Sequence, residues 1–133
     1  MSVGYKFITP SELTGYDVVT VVLLNVYVFV GEGYFANLNV YLRNTDSALL
    51  DSDGKAYDYS GNVGNLIFEL HPSAPLEPNT EYRIFIACSG DDEDAEAGYT
   101  FGSLSVEGNH TGMVDEYLEY TPYIDNGTGW DPL

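Results

Sequence analysis

The chain has 133 residues, with 4 Lys+Arg against 21 Asp+Glu and a formal net charge of −17. That length suits one domain around a single core, and a hydrophobic content of 44% excludes wholesale disorder. The negative field argues against nucleic-acid binding, because a phosphate backbone requires a basic surface, and it repels anionic membranes as well.

The opening residues Met1, Ser2, Val3, Gly4, Tyr5 and Lys6 lack the charged and apolar regions of a secretory leader, so none is expected from them. The apolar run over residues 18–30 spans 13 residues, whereas a membrane helix needs about 20. Its β-branched content favours a strand, so no membrane insertion is expected. The single cysteine, Cys88, excludes an internal disulfide and reads as a small buried apolar residue. Two N-x-T sequons stand at Asn109 and Asn126. The acidic excess fits a hydrated surface working in high salt, a supply of Ca²⁺ ligands, or a surface kept soluble by charge.

In chain order, nearly every segment reads as strand and turn. Residues 18–30 predict a long strand with apolar residues on both faces, interrupted by Thr20 and Asn25, which requires cover on both faces. Gly31-Glu32-Gly33 turns the chain. Residues 37–43 alternate, with Leu38, Val40 and Leu42 on one side and Asn37, Asn39, Tyr41 and Arg43 on the other. Asp51-Ser52-Asp53-Gly54 predicts a turn in which Gly54 takes positive φ. A short strand over residues 55–59 ends at Ser60-Gly61-Asn62.

Residues 65–71 place Leu66, Phe68 and Leu70 inward and Glu69 and His71 outward. The prolines Pro72 and Pro75 then punctuate a crossing that cannot continue a ladder. Residues 80–88 follow with Tyr82, Ile84, Ile86 and Cys88 on one face, and an acidic loop over 89–98 leads to a last strand over 99–106. About seven short strands with regular turns predict an antiparallel sandwich. Residues 115–120 could form about one helical turn.

From Glu107 the chain is broken by Gly108, Asn109, Gly112, Pro122, Gly127, Gly129 and Pro132, yet it carries Tyr117, Leu118, Tyr120, Tyr123, Ile124 and Trp130. An irregular aromatic tail needs a surface, either its own domain or a neighbouring subunit. The expected organisation is a β-sandwich over residues 1–107 and an extended Tyr/Trp-rich arm over 108–133.

Residues Leu76-Glu77-Pro78-Asn79-Thr80-Glu81-Tyr82 carry the pattern L-x-P-x-T-x-Y. This resembles the approach to the penultimate strand of fibronectin type III and bacterial immunoglobulin-like domains, including those of S-layer and surface proteins. The resemblance covers about residues 20–106 and implies an all-β, single immunoglobulin-like antiparallel sandwich. It also implies that Leu76 plugs the core, Pro78 sets the turn, and the Tyr82 hydroxyl returns to nearby backbone as a tyrosine corner. The first strand lacks the usual proline-led start, and the tail has no counterpart. Such domains serve as spacers, adhesins and assembly modules, so the resemblance addresses fold rather than function.

Catalytic motifs are sparse. His71 and His110 lie in different turn regions without a matching Cys/His set for zinc, and an inward Cys88 would be inert. The glycines at 31–33 and 61–64 lack the following helix that cradles phosphate. No enzymatic activity is expected. Calcium is the one candidate cofactor: Asp91, Asp92, Asp94 and Glu96, with Glu93, group five carboxylates in one loop, and Asp51, Asp53 and Asp58 form a second group. Either can equally be a solvated acidic turn.

Aromatic residues supply the candidate interface: Tyr27 and Phe29 on the long strand, and Tyr117, Tyr120, Tyr123 and Trp130 on the arm. Tyr and Trp anchor interfaces because they bury much area while tolerating water at one end. The expected function is a structural interaction module that assembles with itself and with other subunits. Resemblance and context suggest a virion surface component: capsid decoration, turret, fibre or tail protein. The alternative is a cell-surface adhesion module taking host glycan or protein, with Ca²⁺ ordering its loops.

Overall fold

The computed structural model describes residues 2–9, 16–90, 95–108, 116–117, 121–125 and 130–132. Seven strands form the body: β1 (Ser2–Ile8), β2 (Tyr16–Phe29), β3 (Ala36–Asn44), β4 (Leu49–Tyr57), β5 (Gly61–Leu70), β6 (Glu81–Gly90) and β7 (Glu96–Gly108). Three short ones follow: β8 (Glu116–Tyr117), β9 (Thr121–Asp125) and β10 (Trp130–Pro132). The expected all-β sandwich is observed, and every pairing is antiparallel. Sheet A has the order β10-β9-β1-β6-β3-β4 and sheet B the order β5-β2-β7-β8. Apart from the β3–β4 hairpin, each connection within the body crosses from one sheet to the other.

The pairs β2–β5 and β3–β6 correspond to the B–E and C–F pairs of an immunoglobulin sandwich. The terminal strands are placed differently. In the immunoglobulin constant arrangement the first strand joins B and E, and the last joins C and F. Here β1 pairs with β6 and β7 pairs with β2. The short tail strands then extend the sheets, β8 beside β7 and β9 beside β1.

The core lies between the sheets, where alternate residues of every long strand meet. Val19, Val21 and Leu23 of β2 face Leu38, Val40 and Leu42 of β3 and Ile84 of β6 in one cluster, all essentially without solvent contact. Burial of side chains of this size contributes about 1.5–3 kcal/mol each. β2 keeps its inward register only by a bulge. Asn25 has φ 51°, and the pairing shifts on either side of it. Inward positions therefore run 19, 21, 23 and then 26, 28, 30, which turns Tyr27 and Phe29 outward. On β7 a second irregularity sits at Gly102, where a side chain would come within 2.9 Å of Leu24 Cγ and the Val22 carbonyl oxygen.

Three expectations need correction. Residues 51–54 are not a turn: they lie in the middle of β4, whose hairpin with β3 turns instead at Thr45 and Asp46. Gly54 does not take positive φ. It sits opposite Asn39, whose amide oxygen occupies the space a side chain would need. Tyr59 likewise belongs to the β4–β5 connection and not to a strand. Within residues 115–120, Glu116 and Tyr117 are strand, not helix.

The tyrosine corner forms as expected. Tyr82 is buried and its hydroxyl accepts the backbone N–H of Glu77 at 2.8 Å, while Leu76 plugs the core beside it. Asn79 takes φ 50° in the turn.

Candidate functional site

The exposed apolar side chains are concentrated at one end of the sandwich. Tyr27, Phe29, Tyr34, Phe35 and Tyr59 are each 44–52% exposed. The Asn25 bulge supplies the first two. The β2–β3 loop supplies the next pair, with a turn closed by the Tyr34 N–H on the Gly31 carbonyl at 3.1 Å. Tyr59 comes from the β4–β5 connection and meets Tyr57 edge-on at 6.0 Å. Ser60 ties these segments together: its hydroxyl donates to the Val30 carbonyl and accepts the Val30 N–H, both at 2.9 Å. The exposed acids Glu32, Asp58 and Glu96 lie at this same end, Glu96 directly opposite Phe29.

Of the six aromatic residues expected to form an interface, Tyr27 and Phe29 stand together on the outer face of sheet B. Tyr117 lies opposite Ser105 at the edge of that sheet, seven residues along β7 from Gly98, the partner of Tyr27. Tyr123 and Trp130 are on β9 and β10 of sheet A, and Tyr120 lies outside the described residues. The arm's strands thus divide between the two sheets rather than form one stripe with β2. Sequence reading missed Tyr34 and Phe35 as a pair. The available signal was two aromatics directly after the Gly-Glu-Gly turn, where a chain leaving the core has no reason to carry them.

Asp91, Asp92 and Asp94 of the calcium candidate lie outside the described residues, and Glu96 is exposed at the start of β7. The second acidic group is dispersed. Asp51 and Asp53 occupy inward-facing positions of β4, opposite Leu42 and Val40. Asp51 is already used, accepting the His71 N–H at 2.6 Å. Among the described residues no group of three or more His, Cys, Asp or Glu side chains could hold a metal ion.

Cys88 is half-buried rather than fully inward. Burial, followed by the nearby Glu96 charge, raises its pKa, which keeps the thiol protonated at neutral pH. Tyr99 is pushed up strongly by burial, by the charge of Tyr5 and by a hydrogen bond with it. A cleft of about 320 Å³ opens between the β3–β4 hairpin and the tyrosine corner, lined by Asn44, Leu50, Pro75, Glu77 and Tyr82 among others.

Comparison with known proteins returns no match: no family model, no curated protein and no solved structure matches the chain.

Proposed function

We propose that this protein is a non-enzymatic structural interaction module, built into a larger assembly such as a virus particle as a decoration, turret, fibre or tail component. The observation that carries the reading is the aromatic end: five large apolar side chains, 44–52% exposed, gathered from three separate segments. Exposing so much apolar surface at one place is costly unless a partner covers it. Aromatic anchors of this kind concentrate binding energy at interfaces. The position of Tyr34, Phe35 and Tyr59 on connecting loops also favours a second reading, a cell-surface adhesion module whose loop end stacks on glycan or protein.

Mass by light scattering, measured on the full chain and on variants, separates the two. Replacing Tyr34 and Phe35 with Ser is expected to reduce an oligomer to monomer under the assembly reading. Under the adhesion reading wild type is already monomeric, and the same variant loses retention on immobilised glycans. An oligomer unchanged by Tyr34→Ser/Phe35→Ser would sink the role of this end in assembly. Deleting residues 108–133 tests the arm in the same assay; normal assembly without it removes the arm from the interface.

A further inference from the structure

Four strands end the two sheets, β4 and β10 in sheet A and β5 and β8 in sheet B, and three of them are guarded against a further partner. β4 carries Asp51, Asp53 and Lys55 at inward-facing positions, β8 has two residues, and β10 has three, one of them Pro132. Inward charge, shortness and proline each blunt a sheet edge. β5 has none of these. It runs over Gly61–Leu70 without proline, and Glu69, its one charged residue, points outward. Val63, Leu66, Phe68 and Leu70 pack against the core. Pairing with β2 is irregular near Gly64 but unbroken from Leu66 to Leu70. On the outer face Asn62, Asn65, Ile67 and Glu69 are exposed, Ile67 to 58%.

One side of β5 is taken up by β2. The other presents backbone N–H and C=O groups at the strand repeat, and no described residue outside β2 hydrogen-bonds to the backbone of β5. Such a row is matched by another extended backbone, so the occupant of this edge is a β-strand.

The surrounding charges say which strand. β4 lies across the sandwich from β5: the Lys55 ammonium stands 5.3 Å from the Phe68 ring centroid, and Asp51 accepts the His71 N–H just past the end of β5. Over residues 49–70 the charged side chains are Asp51, Asp53, Asp58 and Glu69 against Lys55 alone. A strand laid on β5 has Asp51 and Asp53 on its inner side and Ile67 on its outer side. A neutral strand there strips water from those carboxylates and returns nothing, whereas lysine or arginine pairs with them. This chain has no such strand to offer. Lys6, Arg43 and Arg83 lie on β1, β3 and β6, which are paired on both sides, and Lys55 is turned inward onto Phe68. Two β5 edges meeting would bring acids to acids.

We propose that the free edge of β5 binds an extended segment of a different protein as a fifth strand of sheet B. That segment carries lysine or arginine on its inner side and apolar residues on its outer side, beside Ile67. The inference rests on the assembly reading above and names the chemistry of one partner, at a place separate from Tyr34 and Phe35.

The test uses the full chain and a blocked peptide of alternating lysine and valine, about eight residues long. Its comparators are the same peptide methylated at every backbone nitrogen, and a glutamate–valine peptide of equal length. Fluorescence anisotropy at about 0.05 M NaCl reads affinity, and amide hydrogen exchange reads the place. The lysine–valine peptide is expected to bind at least about tenfold more tightly than either comparator. It should also slow exchange within residues 66–70 at least about tenfold. Ile67→Ser and Asp53→Asn, checked for folding by circular dichroism, each weaken binding, whereas Tyr34→Ser/Phe35→Ser leaves it unchanged. Equal binding of the methylated peptide means that charge alone acts and overturns the inference, as does protection that falls on a strand other than β5. Loss of binding in Tyr34→Ser/Phe35→Ser moves the peptide to the aromatic end and overturns it as well. A chain that stays monomeric at every salt but protects residues 66–70 keeps the inference while the aromatic end loses its role in self-assembly. A chain that assembles through Tyr34 and Phe35 but ignores the peptide loses the inference alone.

Discussion

The hydroxyl of Tyr82 accepts the backbone N–H of Glu77 at 2.8 Å, closing the corner where the chain crosses from sheet B to sheet A. The same residue is held from its other side, because Thr9 Oγ1 donates to the Glu77 carbonyl at 2.6 Å. Thr9 is buried, accepts the Thr80 N–H at 2.9 Å through its hydroxyl, and donates its own N–H to the Thr80 carbonyl. The end of β1 is thereby latched to the corner that leads into β6, its partner strand. Tyr82→Phe leaves the Glu77 N–H without its partner and is expected to cost about 1–3 kcal/mol. Thr9→Val is expected to cost a similar amount. Because both hold the backbone of one residue, Glu77, their effects should not add, and urea midpoints of the two single variants and the double variant measure the coupling.

Much of this corner was legible in the sequence. The L-x-P-x-T-x-Y pattern is local, and Leu76, Pro78 and Tyr82 each have one physical role in so short a segment. The inward sets Leu38/Val40/Leu42 and Leu66/Phe68/Leu70 were legible for the same reason, since period-2 alternation needs no knowledge of partners. Register across strands carries no such local mark. Asp51-Ser52-Asp53-Gly54 has turn composition, yet its glycine is there because the Asn39 side chain lies against it from β3. The row Lys6–Arg83–Arg43 joins residues 37 to 77 positions apart in sequence, and only the pairing of β1, β6 and β3 makes them neighbours. The sandwich was readable from composition and alternation, whereas surfaces made only by pairing across strands were not.

The Asn25 bulge decides which way Tyr27 and Phe29 point. Asn25 holds φ 51° and its N–H donates to Asn65 Oδ1 at 3.0 Å. Glycine adopts this conformation without steric cost, so Asn25→Gly should change stability by less than about 1 kcal/mol. Valine is strained there, and Asn25→Val is expected to cost about 1–2 kcal/mol. Chemical denaturation compares the two. Equal losses from glycine and valine would mean that the positive φ is not what the position selects.

Alkaline pH should loosen the fold through Tyr99, Tyr57 and Cys88. Burial is the leading cause of the raised pKa of each, with like charge added in all three and the Tyr5 hydrogen bond added for Tyr99. A raised folded-state pKa means that the native state keeps protons which the unfolded chain releases. Stability is therefore complete below the unfolded values, about 8.5 for Cys and about 10 for Tyr, and declines as pH rises beyond them. Tyr99→Phe should lower stability by a constant amount through loss of the hydrogen bond with Tyr5, and flatten the decline between about pH 10 and 12. Melting curves across that range supply the slopes. Parallel slopes for wild type and Tyr99→Phe would remove Tyr99 from the account.

The open edge of β4 is protected from pairing by its own inward-facing charges. Asp51, Asp53 and Lys55 take positions opposite Leu42, Val40 and Leu38, where a covered strand would carry apolar residues. Lys55 survives there by placing its ammonium 5.3 Å from the Phe68 ring centroid across the sandwich, and Asp51 by accepting the His71 N–H. Inward-pointing charge is a recognised defence of edge strands, because a second β-strand added at the edge would bury it. This defence belongs to β4; the other terminal strands are β10 in the same sheet and β5 and β8 in the second sheet. Asp53→Val with Lys55→Val should raise or preserve thermal stability while promoting concentration-dependent, salt-insensitive aggregation that binds a cross-β dye. If the double variant remains as soluble as wild type at high concentration, the inward charges are not what keeps this edge unpaired.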